Sequence, residues 1–170
     1  PTPTPAPTPT PTPTPTPAPT PVPNYIQPAR AGNKIVYWSQ IDNPEGELFT
    51  MNIDGSNVFK LNSGLYAKNP RWTHNGNKIY FIQNSGIYSI NPDGTNKTEI
   101  LEPSSYGNKY WRANVGLDIS PDGSKIAFSC IEGGQSGFNG ICTSNIDGSN
   151  IQRITGNHLA KEAQFYFPDW

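Results

Sequence analysis

Ionisable and metal-binding side chains are scarce in this chain of 170 residues. Only 15% of the residues are charged, the 12 basic and 13 acidic ones give a net charge of -1, and there are 2 histidines and 2 cysteines. A protein that binds nucleic acid or an anionic membrane needs a basic surface, which this composition does not provide. Two cysteines are too few for a structural zinc site unless histidines assist them. We therefore expect no nucleic-acid partner, no metal and no cofactor.

Long apolar stretches and an N-terminal targeting segment are also missing. No stretch approaches the ~18 residues of a membrane-spanning helix, so we expect no membrane insertion of this segment. No signal peptide is visible, and the chain starts inside a low-complexity run, so we expect a mature or internal piece of a longer protein. Polarity comes mainly from Asn, Ser, Thr, Gly and Gln, which favours strands and turns.

Proline occupies every odd position of the first 23 residues. This alternation excludes helix and sheet and leaves an extended polyproline II segment, with almost nothing apolar to bury. One interpretation is a stiff linker. A compatible one is a stalk whose threonines carry O-linked sugars, as is typical of Thr/Pro tracts. The glycosylation candidates are Thr2, Thr4, Thr8, Thr10, Thr12, Thr14, Thr16 and Thr20.

Residues 24–170 form a second domain that contains three copies of one unit, at about 33–72, 73–119 and 120–170. Lys-Ile pairs begin at Lys34, Lys78 and Lys125. Asp-Gly pairs follow at Asp54, Asp93 and Asp147. A repeat period in the mid-forties with many strands is the signature of a β-propeller blade.

Alternation and turn residues predict four antiparallel strands for each unit. The Lys-Ile pair opens one strand, a second follows a loop, and an Asp-Gly turn leads into a third. A fourth strand precedes the next Lys-Ile pair, as in 69–72 and 116–119. No stretch shows a sustained helical period.

The stretch ISPDGSKIAFSC at 119–130, with NIDGSN at 145–150, resembles the TolB-type, WD-repeat-like β-propeller repeat. The start of the family pattern is matched at 70–76 and 168–170, and its end at 152–155. The resemblance covers about 33–170 and implies an all-β fold. We expect a partial β-propeller of three four-stranded blades and the start of a fourth, preceded by the extended polyproline II segment.

The blade number departs from the family, whose propellers usually close with more blades. Trp170 falls in the first strand of a fourth unit, and Pro28 stands where the second unit has Trp72. The chain therefore resembles half a ring with unpaired strand edges, which invite strand addition. Either the gene continues past Trp170, or another copy supplies the missing blades.

Cys130 and Cys142 lie on two strands that we expect to be neighbours. We favour a disulfide, which indicates an oxidising compartment. The alternative is two unpaired small residues, and a redox or nucleophilic role is disfavoured because no histidine is near in sequence. His74 and His158 are interpreted as loop residues.

The remaining candidates are turns and aromatic residues. The NIDGSN turns have some likeness to calcium loops but lack the acidic density and the distal glutamate, so hairpin turns are favoured. Most tryptophans and tyrosines match core positions. Tyr106, Tyr110 and Trp111 fall in a longer insertion and are the candidate contacts for a ligand. Asn96 begins an N-glycosylation acceptor motif.

A propeller fold does not by itself imply a function, since the family includes interaction proteins, oligopeptidase gating domains and secreted surface proteins. We expect a non-enzymatic extracellular structural or interaction module, located at a cell surface or in a surface filament. Its partners would be other copies of itself, other surface proteins or glycans. One alternative is a module that binds polysaccharide or protein. Another is the propeller of a larger secreted hydrolase.

Overall fold

The computed structural model describes residues 1, 32–40, 43–61, 63–64, 66–103, 105–106, 109–132, 138–155 and 170. For 105–106, 109–115, 131–132 and 138–139 it describes the backbone only. The first-strand position near Pro28 and the Pro/Thr run beyond Pro1 lie outside these residues. Within them the elements are β-strands, and no helix is long and apolar enough to span a bilayer.

The described residues contain twelve strands in three antiparallel sheets, which are the three blades. The first blade contains β1 (Lys34–Ser39), β2 (Glu47–Asn52) and β3 (Phe59–Lys60). The second contains β4 (Lys68–Trp72), β5 (Ile79–Gln83), β6 (Gly86–Ile90) and β7 (Thr98–Leu101). The third contains β8 (Ser105–Tyr106), β9 (Lys109–Ile119), β10 (Lys125–Glu132), β11 (Phe138–Asn145) and β12 (Gln152–Arg153). The expected all-β partial propeller is confirmed.

Strand order follows chain order within each blade, because each strand pairs with the one that precedes it. The Lys-Ile strand is never the first in a complete blade: β4 precedes β5, and β9 precedes β10. The third blade has five strands where four were expected. The difference arises because the segment before β9 folds back as β8, with Tyr106 opposite Lys109.

The hydrophobic core lies between the blades. One cluster joins the first and second blades, with Leu48, Ile79, Phe81 and Ile90 each fully buried. A second cluster joins the second and third blades; it consists of Tyr80, Ile82, Ile87, Leu101, Leu117, Ile119, Ile126, Phe128, Cys130 and Cys142. The faces that pack between neighbouring blades are thus apolar, and each pair of neighbouring sheets shares a core.

Candidate functional site

Cys130 on β10 and Cys142 on β11 form a disulfide, with their Cα atoms 5.8 Å apart. In the register of this hairpin, Phe128 lies opposite Cys142 and Cys130 lies opposite Gly140, so the two cysteines are diagonal neighbours. Both are essentially fully buried, and they belong to the cluster between the second and third blades. The predicted disulfide is confirmed, and neither cysteine offers a free thiol.

The other predicted ligand contacts lie on one pair of neighbouring strands. Tyr106 lies on β8, while Tyr110 and Trp111 lie on β9, where Trp111 is opposite Glu132 of β10. Their segment is a regular hairpin that extends the third blade, and their role in ligand contact stays a prediction. His158 and the glycosylation candidates lie outside the described residues; these candidates are Thr2, Thr4, Thr8, Thr10, Thr12, Thr14, Thr16 and Thr20.

The three Asp-Gly turns have the same hydrogen bonds, as expected of hairpin turns. In the first, Gly55 N–H donates to the Asn52 carbonyl at 2.9 Å, and Asn52 N–H donates to the Ser56 carbonyl at 2.8 Å. Asp54 accepts from both the hydroxyl and the backbone N–H of Ser56. These bonds, the hydroxyl first, hold the pKa of Asp54 below its ordinary value.

The equivalent aspartates of the other blades are used in the same way. The hydroxyl and N–H of Thr95 lower the pKa of Asp93, and those of Ser149 lower the pKa of Asp147. Within the described part of the chain, no group of three or more His, Cys, Asp or Glu could hold a metal. The carboxylates of these turns accept hydrogen bonds from backbone N–H groups and so stabilise the reversal of the chain.

The first blade carries an apolar surface that the other blades do not expose. The repeat makes Ile35 equivalent to Ile126 and Val58 equivalent to Ile151. Ile35 is 38% exposed and Val58 is 59% exposed, whereas Ile126 is fully buried. Ile53 also lies on this surface and is 70% exposed. We call the surface formed by Ile35, Tyr37, Ile53 and Val58 the open face.

The open face is turned away from the second blade. In the third blade, Ile126 and Phe128 are equivalent to Ile35 and Tyr37, and they belong to the cluster shared with the second blade. The same side of the first blade has no described blade against it. Part of this surface is covered by the chain itself, since the Tyr37 ring stacks on Phe49 at 5.6 Å and Phe49 is buried.

A second exposed feature is the pair of Trp38 and Tyr66 beside the dipeptide Glu45-Gly46. The two aromatic side chains are 45% and 52% exposed. Tyr66 donates its hydroxyl to Glu45 Oε1 at 2.6 Å and its N–H to the Glu45 carbonyl at 3.0 Å, and the hydroxyl bond raises its pKa. A side chain at Gly46 would touch the Trp38 indole at 3.3 Å, so the glycine lies directly against that ring.

Tyr66 has a φ of +62°, a left-handed conformation that is uncommon for a bulky residue. The Glu45 contacts hold it there, and this geometry presents the ring to solvent. The prediction that most tryptophans and tyrosines pack in the core is correct for Trp72, Tyr80 and Tyr88. It is wrong for Trp38 and Tyr66. The exposure of Trp38 had one sequence signal: the equivalent residues of the other units are Ile82 and Ser129, so very different side chains occupy this position.

Lys97 connects the first two blades and is not a free cation. Its ammonium donates to the Ser63 carbonyl at 2.6 Å and to Gln83 Oε1 at 2.5 Å. It also lies 5.0 Å from the centre of the Tyr88 ring. Desolvation lowers the pKa of Lys97, while Glu99 acts in the opposite direction. The residue therefore fixes the segment between β3 and β4 against the second blade.

Three solved structures show the same fold. The structure of a putative TolB from Agrobacterium tumefaciens has 21% identity and a TM-score of 0.57, over 73% of this chain and 46% of that one. A nidogen/laminin complex has 17% identity and a TM-score of 0.52, over 68% and 42%. An oligogalacturonate lyase from Vibrio parahaemolyticus has 10% identity and a TM-score of 0.56, over 73% and 37%.

No family model matches the chain, and no curated protein matches it significantly. The chain spans less than half the length of each of these three structures. At these identities the likeness establishes a β-propeller fold, and the different names of the three proteins illustrate that the fold hosts different functions.

Proposed function

We propose that the chain is a non-enzymatic interaction module of a cell surface or surface filament, in which propeller blades are carried on a glycosylated Pro/Thr stalk. The observation that carries the proposal is the open face of the first blade. Monomeric proteins rarely leave a contiguous apolar patch uncovered, and such patches mark interaction sites. Ile53 and Val58 would be costly to expose without a partner that covers them.

The proposed extracellular location is supported by the Cys130–Cys142 disulfide, because disulfides persist in oxidising compartments. The Thr/Pro composition of residues 1–23 is typical of glycosylated stalks. A structural role is supported by the aspartates of the three repeat turns, since Asp54, Asp93 and Asp147 are each bound within their own turn.

This function is tested by asking whether a surface protein binds the chain and whether that binding requires the open face. The whole chain is immobilised and exposed to the cell-surface fraction of its source, and retained proteins are identified by mass spectrometry. Wild-type chain is compared with Val58→Asp, and Gln40→Glu serves as a charge-matched control, because it adds the same single negative charge at an exposed position directly after β1. A partner retained by wild type and control but lost with Val58→Asp supports the proposal. Equal retention by all three, or retention by none, contradicts it.

Carbohydrate binding is a second candidate, and the pair of Trp38 and Tyr66 favours it. Exposed aromatic rings next to a carboxylate can stack on a sugar ring while Glu45 accepts from its hydroxyls. Trp38→Ala and Tyr66→Ala are predicted to abolish retention on a glycan array, and Phe59→Ala is the control because Phe59 is 48% exposed elsewhere on the blade. Changes at Tyr110 and Trp111 test the site expected from the sequence in the same assay. Unchanged retention by every variant removes this candidate.

The third alternative is a propeller within a larger secreted hydrolase. It requires a catalytic domain encoded elsewhere in the same gene. The sequence of the complete gene decides this alternative directly.

A further inference from the structure

The Asp-Gly turn of the second blade ends in the acceptor motif Asn96-Lys97-Thr98. All three residues are exposed, and Asn96 has a left-handed backbone with a φ of +51°. The hydrogen bonds that close the turn belong to other side chains, since Thr95 donates its hydroxyl to Asp93 Oδ1 at 2.6 Å. Within the described part of the chain, the side-chain amide of Asn96 makes no hydrogen bond. This amide is therefore open to solvent and to a modifying enzyme.

The hydroxyl of Thr98 lies beside the asparagine that it accompanies in the motif. It donates to the Asn96 carbonyl at 3.2 Å. Lys97, between the two, is held against the body of the protein, because its ammonium donates to the Ser63 carbonyl and to Gln83 Oε1. The middle residue of the motif is thus anchored, while the amide and the hydroxyl that an N-glycosylation enzyme recognises stay at the surface.

The other blades separate the part of this motif that the backbone requires from the part that it does not. An asparagine with a φ between +51° and +54° follows each turn, as Asn57, Asn96 and Asn150. The left-handed backbone is a sufficient reason for asparagine at this position. It does not require a threonine two residues later, where the first blade has Phe59 and the third has Gln152. Gln152 donates instead to the side chain of Asn150, at 3.3 Å from Oδ1.

The motif also lies at the outer edge of the second blade. Among the described strands, β7 pairs with β6 alone, and it has four residues where the outermost strands β3 and β12 have two each. The turn at Gly148 packs on the Ile100 carbonyl, whereas Thr98 and Glu99 are exposed. Exposed strand edges invite the addition of another strand, and proteins protect them by covering or shortening them. A sugar on Asn96 would stand directly beside this edge.

We propose that Asn96 carries an N-linked glycan. In the transfer, Asn96 Nδ2 forms a bond to the anomeric carbon of a sugar that is held on a lipid-linked phosphate. The bond from that carbon to the phosphate oxygen breaks, the phosphate leaves with the electron pair, and the amide proton passes to a base of the transferase. This inference rests on the proposed extracellular location, because the motif is glycosylated in secreted proteins. It adds a site and a type of linkage outside the Pro/Thr stalk.

Mass spectrometry of protein isolated from its natural source tests the proposal. Chymotrypsin cleaves after Tyr88 and Leu101 and keeps the motif within one peptide, residues 89–101. This peptide is expected to be heavier than its sequence mass, and electron-transfer fragmentation is expected to place the added mass on Asn96. Peptides that contain Asn57 or Asn150 are the matched controls and are expected to be bare, because these residues share the backbone but lack the threonine. A bare peptide 89–101, or added mass on its threonines alone, overturns the proposal.

Two variants of the whole chain, produced in the same source, test whether the hydroxyl of Thr98 is required. Thr98→Val keeps the branched shape of the side chain and is expected to lose the added mass at Asn96. Thr98→Ser keeps the hydroxyl and is expected to retain it. Circular dichroism verifies that both variants fold. Modification of Asn96 in Thr98→Val at the wild-type level contradicts the assignment.

The state of the two cysteines in the same sample separates this inference from the proposed function. Alkylation without reduction labels free thiols, so Cys130 and Cys142 remain unlabelled when their disulfide is present. A bare Asn96 in disulfide-bonded protein from the cell surface means that the glycan is wrong and the proposed location stands. Intracellular protein with both cysteines labelled refutes the location and the glycan together.

Discussion

Replacement of Gly148 by alanine tests the blade interface from which the open face is interpreted. Gly148 and Gly55 have φ values of +85° and +81°, so an alanine at either position carries the same left-handed strain of about 1–2 kcal/mol. Only at position 148 does the new methyl group meet backbone, at 1.9 Å from the Ile100 oxygen. The contact must lengthen by roughly 1.5 Å to reach an ordinary separation near 3.4 Å.

This displacement would separate the turn from β7 and strain the hydrogen bond from Tyr80 to the Ile146 carbonyl. Overpacking of this kind costs about 1–3 kcal/mol. The free energy of unfolding is therefore expected to fall by ~2–5 kcal/mol for Gly148→Ala and by ~1–2 kcal/mol for Gly55→Ala. Urea unfolding at low protein concentration, followed by circular dichroism, measures both. Equal losses for the two variants would show that the third blade does not rest on the second as described.

Four further predictions concern the disulfide, the turns, a partly buried phenol and the stalk. Replacing Cys130 and Cys142 together by alanine opens a link between residues 12 apart in sequence and is expected to lower the free energy of unfolding by about 2–3 kcal/mol in urea; an unchanged midpoint contradicts this. The hydroxyl of Ser120 and then the N–H of Ser124 hold the pKa of Asp122 at about 2, below its ordinary 3.8, so its stabilising effect is present above 3.8 and is lost as the pH falls towards 2. Asp122→Asn should reduce the change in the free energy of unfolding between pH 3.8 and about 2. The turn should be kept, because Asn75 occupies the equivalent position and accepts from the Thr73 hydroxyl and the Asn77 N–H. An unaltered pH dependence argues against the assignment. Burial, followed by the hydrogen bond to Glu99, raises the pKa of Tyr88 to about 12, so Tyr88→Phe should remove one late-titrating phenol from an ultraviolet titration, and loss of an early one instead would refute the placement. Peptides covering residues 1–23, released from protein isolated from its natural source, should be heavier than their sequence mass if the threonines are glycosylated, and bare peptide masses would exclude the sugars.

Much of the strand pattern could be predicted because it is set by local sequence. The Lys-Ile pairs and the Asp-Gly turns are short-range signals, and β1, β5 and β10 begin within one residue of the predicted positions. The disulfide was predictable for the same reason, since strands on either side of a loop pair with each other. The segment around Tyr106 was less predictable because its fold-back as β8 depends on pairing with β9 rather than on a turn motif.

The exposure of particular side chains could not be predicted, because it depends on neighbouring blades. Ile35 and Ile126 occupy equivalent positions in the repeat, yet one is 38% exposed and the other fully buried. Trp38 aligns with the buried Ile82 but is 45% exposed, although it lies on the same side of β1 as Val36, which packs toward the second blade. The left-handed backbone of Tyr66 was also outside prediction, since it is held by Glu45 through a contact between residues distant in sequence.

The short-range hydrogen bonds of the Asp-Gly turns have a consequence for the order of folding. Ile53 N–H and Ile146 N–H donate to the distant Asn33 and Ser124 carbonyls. The bonds around each aspartate, in contrast, join residues no more than four positions apart, as between Asn52 and Ser56 or between Asn145 and Ser149. Such local closure has a small entropic cost and can precede any contact between sheets. Each hairpin can therefore form early and on its own, while the contacts of Gly148 and Lys97 with neighbouring segments form only when the sheets dock. Folding of this chain is then expected to resemble the stepwise growth of a linear array, with nearest-neighbour docking as its slow and cooperative part.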